Sequence, residues 1–156
     1  MTDPTPPSIE EVQLRPSAIF APVGYPFPLR RGGVASGRLL AVSGQFGQVD
    51  FRLVGGGLEA QVRQALRNVA SVVGEHRLRM SDVIKTTIYL ADIDDFDRMN
   101  RVYLEFFDQD RLPARTTAGV RLPFGALVEI EAWARRPGPL RRALQTWVER
   151  RATHER

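Results

Sequence analysis

Two carboxylates, Glu129 and Glu131, interrupt LVEIEAWA, a run that is otherwise apolar and strand-like. Strand alternation puts Leu127, Glu129, Glu131 and Trp133 on one face and the purely apolar set Val128, Ile130, Ala132 and Ala134 on the other. An ionised carboxylate is costly to bury unless it is paired or hydrogen-bonded, so the first face must meet water, a cation or a ligand. Other routes to chemistry are poorly supplied. There is no cysteine, which excludes disulfides, thiolate nucleophiles and cysteine metal ligands. His76 and His154 lack ligand-spaced companions, which argues against a metal site, and Ser43 has no partnered histidine to make a hydrolase triad. Gly55, Gly56 and Gly57 precede a helix without a Gly-Lys-Ser/Thr element, so they read as a turn and not as a phosphate loop.

The elements that would position these carboxylates follow from periodicity. RLLAVSGQFG reads as a strand with Leu40, Val42 and Phe46 on one side and Ala41, Ser43 and Gln45 on the other; VDFRLV reads as one further short extended run. GLEAQVRQALRNVASVVGEH is an amphipathic helix, with Leu58, Val62, Ala65, Leu66, Val69, Val72 and Val73 on one stripe and Gly74 where the pattern ends. SDVIKTTIYLADI is β-branched and alternates through Ile84, Thr86, Ile88 and Leu90. A second helix, capped by an aspartate of DIDD, carries Phe96, Met99, Tyr103, Phe106 and Phe107. Strands over 116–121 and 126–134 complete the order. Strands, helix, strand, helix, strands predict an α+β or α/β sandwich with two helices on one face of a single sheet. The other face, with Ser43, Leu127, Glu129, Glu131 and Trp133, is too apolar for free solvent and too polar for a monomer core. A homo-oligomer closing such faces around small polar pockets resolves the conflict.

A chain of 156 residues with 43% hydrophobic content suits one domain core. Residues 1–17, rich in Pro, Ser and Thr, read as a flexible arm. No basic segment followed by an apolar run opens the chain and no stretch approaches a membrane span, so a soluble cytoplasmic protein without a membrane partner is expected. The charge of +4 is concentrated at one end: residues 135–156 hold seven arginines against Glu149 and Glu155, a net +5, which leaves −1 for the remainder. Residues 137–156 read as a basic amphipathic helix, with Leu140, Leu144, Trp147 and Val148 on one stripe, that docks on its own body or a neighbour. Nothing aromatic interleaves the arginines as nucleic-acid modules require, so RNA is the lesser reading.

Six blocks occur in one order: SGQ at 43–45, QVRQALRNV at 61–69, DVIKTTIYLADIDDF at 82–96, MNRVYLEFF at 99–107, PAR at 113–115 and VEIEAWA at 128–134. Together they resemble the Rid family, the reactive intermediate deaminases also called YjgF, from about Tyr25 to Ala134; this places a Rid-like domain over 18–136. The resemblance implies a chorismate-mutase-like α+β fold, a single mixed sheet with two helices on one face, and a homotrimer whose sheets form a central barrel with three inter-subunit clefts. It implies hydrolysis of 2-imino acids, formed from enamines such as 2-aminoacrylate, to 2-keto acids and ammonia, with neither metal nor organic cofactor. By position it implies Arg115 and Glu129 as catalytic residues, and Tyr25, Ser43, Asn100 and Thr117 as substrate-binding ones. A guanidinium fork at Arg115 suits a carboxylate bidentately, and a carboxylate at Glu129 can orient water and move its proton.

Glu129 could instead pair with an arginine across a subunit interface, and Glu131 reads as structural. Many family members have a cysteine where this chain has Thr117, the segment from Arg115 to Glu129 is about one residue shorter than the common pattern, and FPLRRGGVASG is longer and more basic. Two further readings stay open beside deamination by a housekeeping enzyme: a trimeric binding or regulatory protein that senses a carboxylate metabolite without turnover, and a specialised enzyme of secondary metabolism on the same scaffold.

Overall fold

The computed structural model describes residues 32–138; the arm, Tyr25 and the basic tail beyond 138 lie outside the described residues. Within that span the chain forms β1 (Gly33–Ser36), β2 (Leu39–Phe46), β3 (Gln48–Val49), β4 (Arg52–Leu53), α1 (Gly57–Glu75), β5 (Val83–Leu90), α2 (Phe96–Leu104), β6 (Ala114–Gly119) and β7 (Val128–Arg135). Five strands make one mixed sheet in the order β1-β2-β7-β5-β6, antiparallel except for the β5/β6 pair. The parallel pair needs a crossover, and α2 supplies it. This is the expected α+β architecture of one main sheet with two helices.

The predicted alternation in β7 holds along its length: Val128, Ile130, Ala132 and Ala134 are fully buried, whereas Glu129 and Glu131 are half-buried and Trp133 is exposed. The buried set meets the apolar stripe of α1, where Val62, Ala65, Leu66, Val69 and Val73 are equally inaccessible. Burying each such Val, Leu or Ile side chain contributes roughly 1.5–3 kcal/mol, so this layer dominates the core. Gln61, polar but buried, accepts a hydrogen bond at Oε1 from the Leu127 amide (2.9 Å) and so ties α1 to the entry of β7. Two ion pairs, Arg98 with Glu59 and Arg63 with Glu105, cross between the α1 and α2 segments at 2.8 Å. Both are solvent-exposed, which limits each to a minor share of stability.

Local details differ from the sequence reading where extra residues interrupt a period. The register of β2 on β7 shifts between Val42 and Gln45, so Gln45 pairs with Ile130 and Phe46 pairs with Glu129. Phe46 therefore joins the open face instead of sharing a side with Leu40 and Val42. A second shift between Val83 and Lys85 turns Ile84 out to 45% exposure, while Thr86, Ile88 and Leu90 point inward as expected. VDFRLV is not one extended run: Asp50 and Phe51, at φ 46° and 65°, form a two-residue left-handed turn between β3 and β4. Helix α1 runs one residue past Gly74, and the left-handed stop is Arg77 (φ 58°). The Leu78 amide reaches Val73 O and the Arg77 amide reaches Gly74 O, a Schellman closure with Leu78 buried beneath it. Asp92 of DIDD caps the single 3₁₀ turn Ile93–Asp95 through the Asp94 amide, and α2 follows directly. The strand predicted over 116–121 starts inside PAR, at Ala114, two residues earlier, and the last strand starts at Val128, two residues later than predicted.

Candidate functional site

Arg115 lies on β6, the edge of the sheet, in register with Thr86 of β5. Thr86 is fully buried beneath the helices, and paired residues in a ladder share a face, so Arg115 projects toward the helix layer. Its neighbours there come from α2. Nη1 donates to Asn100 Oδ1 at 2.7 Å, and the guanidinium carbon stands 4.7 Å from the centroid of the Tyr103 ring and 5.2 Å from that of Phe96. The two rings form an aromatic seat for the cation. Tyr103 is itself fixed: it is buried and its hydroxyl shares a 2.9 Å hydrogen bond with Thr86 Oγ1. Burial pushes the Tyr103 hydroxyl above the ordinary tyrosine value, against the opposing effects of the Thr86 bond and the Arg115 charge.

Among the described residues, Arg115 has no carboxylate partner and its hydrogen bond to Asn100 uses one of five N–H donors. A half-buried cation held against two rings, with one of its five donors engaged among the described residues, is arranged to receive an anion. Thr117 follows on the same face, paired with Ile88, and its Oγ1 is buried with no hydrogen-bond partner among the described residues.

Glu129 occupies the other face. It pairs with Tyr89 of β5 and Phe46 of β2, next to the bulge that contains Ser43 and Gly44. Its carboxylate lies across Gly44, where any β-carbon would collide with Oε1; the absence of a side chain at 44 gives the carboxylate its place. Burial raises the Glu129 carboxyl above the usual carboxylate value, and the neighbouring Glu131 charge raises it further. Neither glutamate has an ion pair among the described residues. A carboxylate shifted upward in this way is a stronger base than an ordinary glutamate, which suits it to take a proton from water.

The six predicted site residues thus fall into groups. Arg115, Asn100 and Thr117 come together on the helix side of β6; Glu129 lies on the open face against Gly44 of the β2 bulge, the residue that follows Ser43; Tyr25 lies outside the described residues. One chain does not bring Arg115 and Glu129 together. Three contributors were read from the sequence only as core or not at all: Phe96 and Tyr103, whose helical spacing marked them as core, and Gly44, whose role depends on a carboxylate in another strand. Also among the described residues, no helix is long and apolar enough to cross a membrane, and no three acidic or histidine side chains converge as a metal site.

Comparison with known proteins places these features in context. Residues 28–136 match the family model described as Endoribonuclease L-PSP. A human 2-iminobutanoate/2-iminopropanoate deaminase is 39% identical over 106 residues, 66% of this chain and 76% of the relative. A candidate regulator from Lactococcus lactis, AldR, is 38% identical over 110 residues, 69% of this chain and 86% of its own. Among solved structures, E. coli TdcF with bound serine is 34% identical and superposes with a TM-score of 0.65, covering 71% of this chain and 90% of TdcF.

Proposed function

The chain belongs to the YjgF/Rid family, the one described as Endoribonuclease L-PSP, and on that premise we propose that it hydrolyses small 2-imino acids such as 2-iminopropanoate to 2-keto acids and ammonia. The observation that carries the reading is the unpaired guanidinium of Arg115 on its aromatic seat. It would clamp the one group that all 2-imino acids share, the carboxylate, and leave the side chain loosely specified. Water then adds to the imine carbon, its proton passing to Glu129; the carbinolamine expels nitrogen as ammonia once that nitrogen is protonated, and the carbonyl forms. Ser43 and Tyr25 would donate hydrogen bonds near the substrate, and the segment around Thr117 would meet the departing nitrogen.

Arg115 and Glu129 project from opposite faces of the sheet, so a site using both requires Arg115 of one subunit and Glu129 of another. The open face supports such an assembly. Val34, Leu39 and Trp133 lie exposed on it beside two unpaired carboxylates. A homotrimer joining these faces would cover the apolar residues and complete three clefts.

The test generates 2-aminoacrylate from serine with a dehydratase and follows loss of 2-iminopropanoate. Acceleration by the protein is expected; none at any protein concentration rejects the reading. The similarity to AldR favours a second one, a cleft that binds a keto acid without turnover. Stabilisation by pyruvate in a protein that leaves imine hydrolysis unchanged would decide for it.

A further inference from the structure

At the end of the sheet remote from Glu129, the starts of β2 and β5, the end of β7 and the loop entering β6 border an open cavity of about 470 Å³. Four arginines line it, Arg38, Arg111, Arg135 and Arg136, with Asp82 as the sole carboxylate among the lining residues. Two of the four are engaged, each with a neutral carbonyl: Arg38 donates to Arg136 O (2.9 and 3.1 Å) and Arg136 donates to His76 O (3.4 Å). Arg111, in the segment before β6, and Arg135, the last residue of β7, have no side-chain hydrogen bond or ion pair among the described residues. Asp82 is buried, and its carboxylate is occupied by the Arg79 amide (3.0 Å). Four arginines lining one cavity with a single, already engaged carboxylate among them leave it with an excess of positive charge, whose mutual repulsion works against the fold.

We propose that this cavity is a binding site for a compact polyanion of the phosphate class, such as the diphosphate or triphosphate of a small metabolite. The volume falls within the range of small-ligand sites. Two to four negative charges would balance the lining, which a single carboxylate of the kind held at Arg115 does not supply. Planar guanidinium forks approaching from separate segments fit the several oxygens of linked phosphates. The Arg111 segment continues through Pro113 into β6, so an occupant would also brace the strand that carries Arg115. The site stands independently of the proposed deamination.

Calorimetric titration of the full chain with pyrophosphate tests it, against orthophosphate and acetate. Saturable pyrophosphate binding is expected, tighter than orthophosphate, absent with acetate and weakened by salt. The double variant Arg111→Ala/Arg135→Ala, with both changes at exposed positions, should lose affinity by about tenfold or more through lost charge-assisted contacts, with its thermal melt unchanged. Arg115→Ala should bind pyrophosphate as the wild type does. No pyrophosphate binding, wild-type affinity in the double variant, or an equal loss in Arg115→Ala would each overturn the proposal. So would single-stranded RNA binding that strengthens with length and is not displaced by pyrophosphate, which would assign the arginines to a nucleic-acid backbone.

Discussion

Replacing Arg115 with methionine separates what the side chain does for a ligand from what it does for the fold. On the ligand side, the variant loses a bidentate pair of charge-assisted hydrogen bonds, each worth roughly 1.5–3 kcal/mol. Even at the lower end the pair amounts to about 3 kcal/mol, so kcat/KM should fall by about 100-fold or more. On the stability side the balance is close. The variant forgoes one hydrogen bond to Asn100, about 1.5–3 kcal/mol, and two cation–π contacts of about 0.5–1 kcal/mol each. It gains relief from holding an unpaired cation half out of water, a cost of several kcal/mol when burial is complete and less here. It also gains sulfur–aromatic contact with Phe96 and Tyr103, about 0.3–1.5 kcal/mol per contact. The expected change in unfolding free energy is within about 1 kcal/mol of zero, as for an exposed position. Urea denaturation followed by circular dichroism measures the second quantity, and the dehydratase-coupled imine assay measures the first. A variant that keeps activity within about tenfold while losing more than about 2 kcal/mol of stability would refute the reasoning, because it would make Arg115 a structural residue.

Other outcomes follow from the same geometry. Because the Glu129 carboxyl is raised in the folded state, the native protein holds a proton there that the unfolded chain has already released, so this group's contribution to stability falls as pH rises from the ordinary carboxylate range through the raised value. Glu129→Gln should flatten that decline in pH-dependent urea melts and remove the acidic limb of the kcat/KM profile; an unchanged limb assigns it to another group. Gly44→Ala, which sets a methyl group against the Glu129 carboxylate, should lower kcat far more than Tm, and equal activity in the variant would remove Gly44 from the site. Tyr103→Phe leaves the buried Thr86 hydroxyl without its partner and should cost about 1–3 kcal/mol in denaturant unfolding. Trp133→Glu, at a position 42% exposed, should leave the chain folded but shift its sedimentation toward monomer; a variant that sediments as the wild type does would remove Trp133 from the proposed interface.

Much of this architecture could be read along the chain because single periods run unbroken. The α1 stripe and the β7 alternation each decide which residues are buried, and both do so as predicted. Prediction failed where a residue was inserted into a period. A bulge breaks the alternation where it is inserted, which is why Phe46, beyond the β2 shift, lies on the open face and Ile84, within the β5 shift, turns outward while the residues after it keep their predicted face. The turn at Asp50 and Phe51 was hidden because neither residue is a glycine, the usual marker of a left-handed backbone. At the candidate site, block matching placed Arg115 and Glu129, but their separation onto two faces depends on strand order, and β6 pairing parallel at the edge is a tertiary outcome. The aromatic seat shares the same limit: Phe96 and Tyr103 carry a core-like spacing that does not reveal a cation lying against them.

The placement of Arg115 and Glu129 on opposite sides of one sheet also has a genetic consequence. In the homotrimer proposed above, alleles damaged at one position and alleles damaged at the other, expressed together, would assemble mixed rings in which some grooves inherit an intact half from each parent. Two inactive gene products would then rescue each other, whereas two alleles damaged at the same position would not.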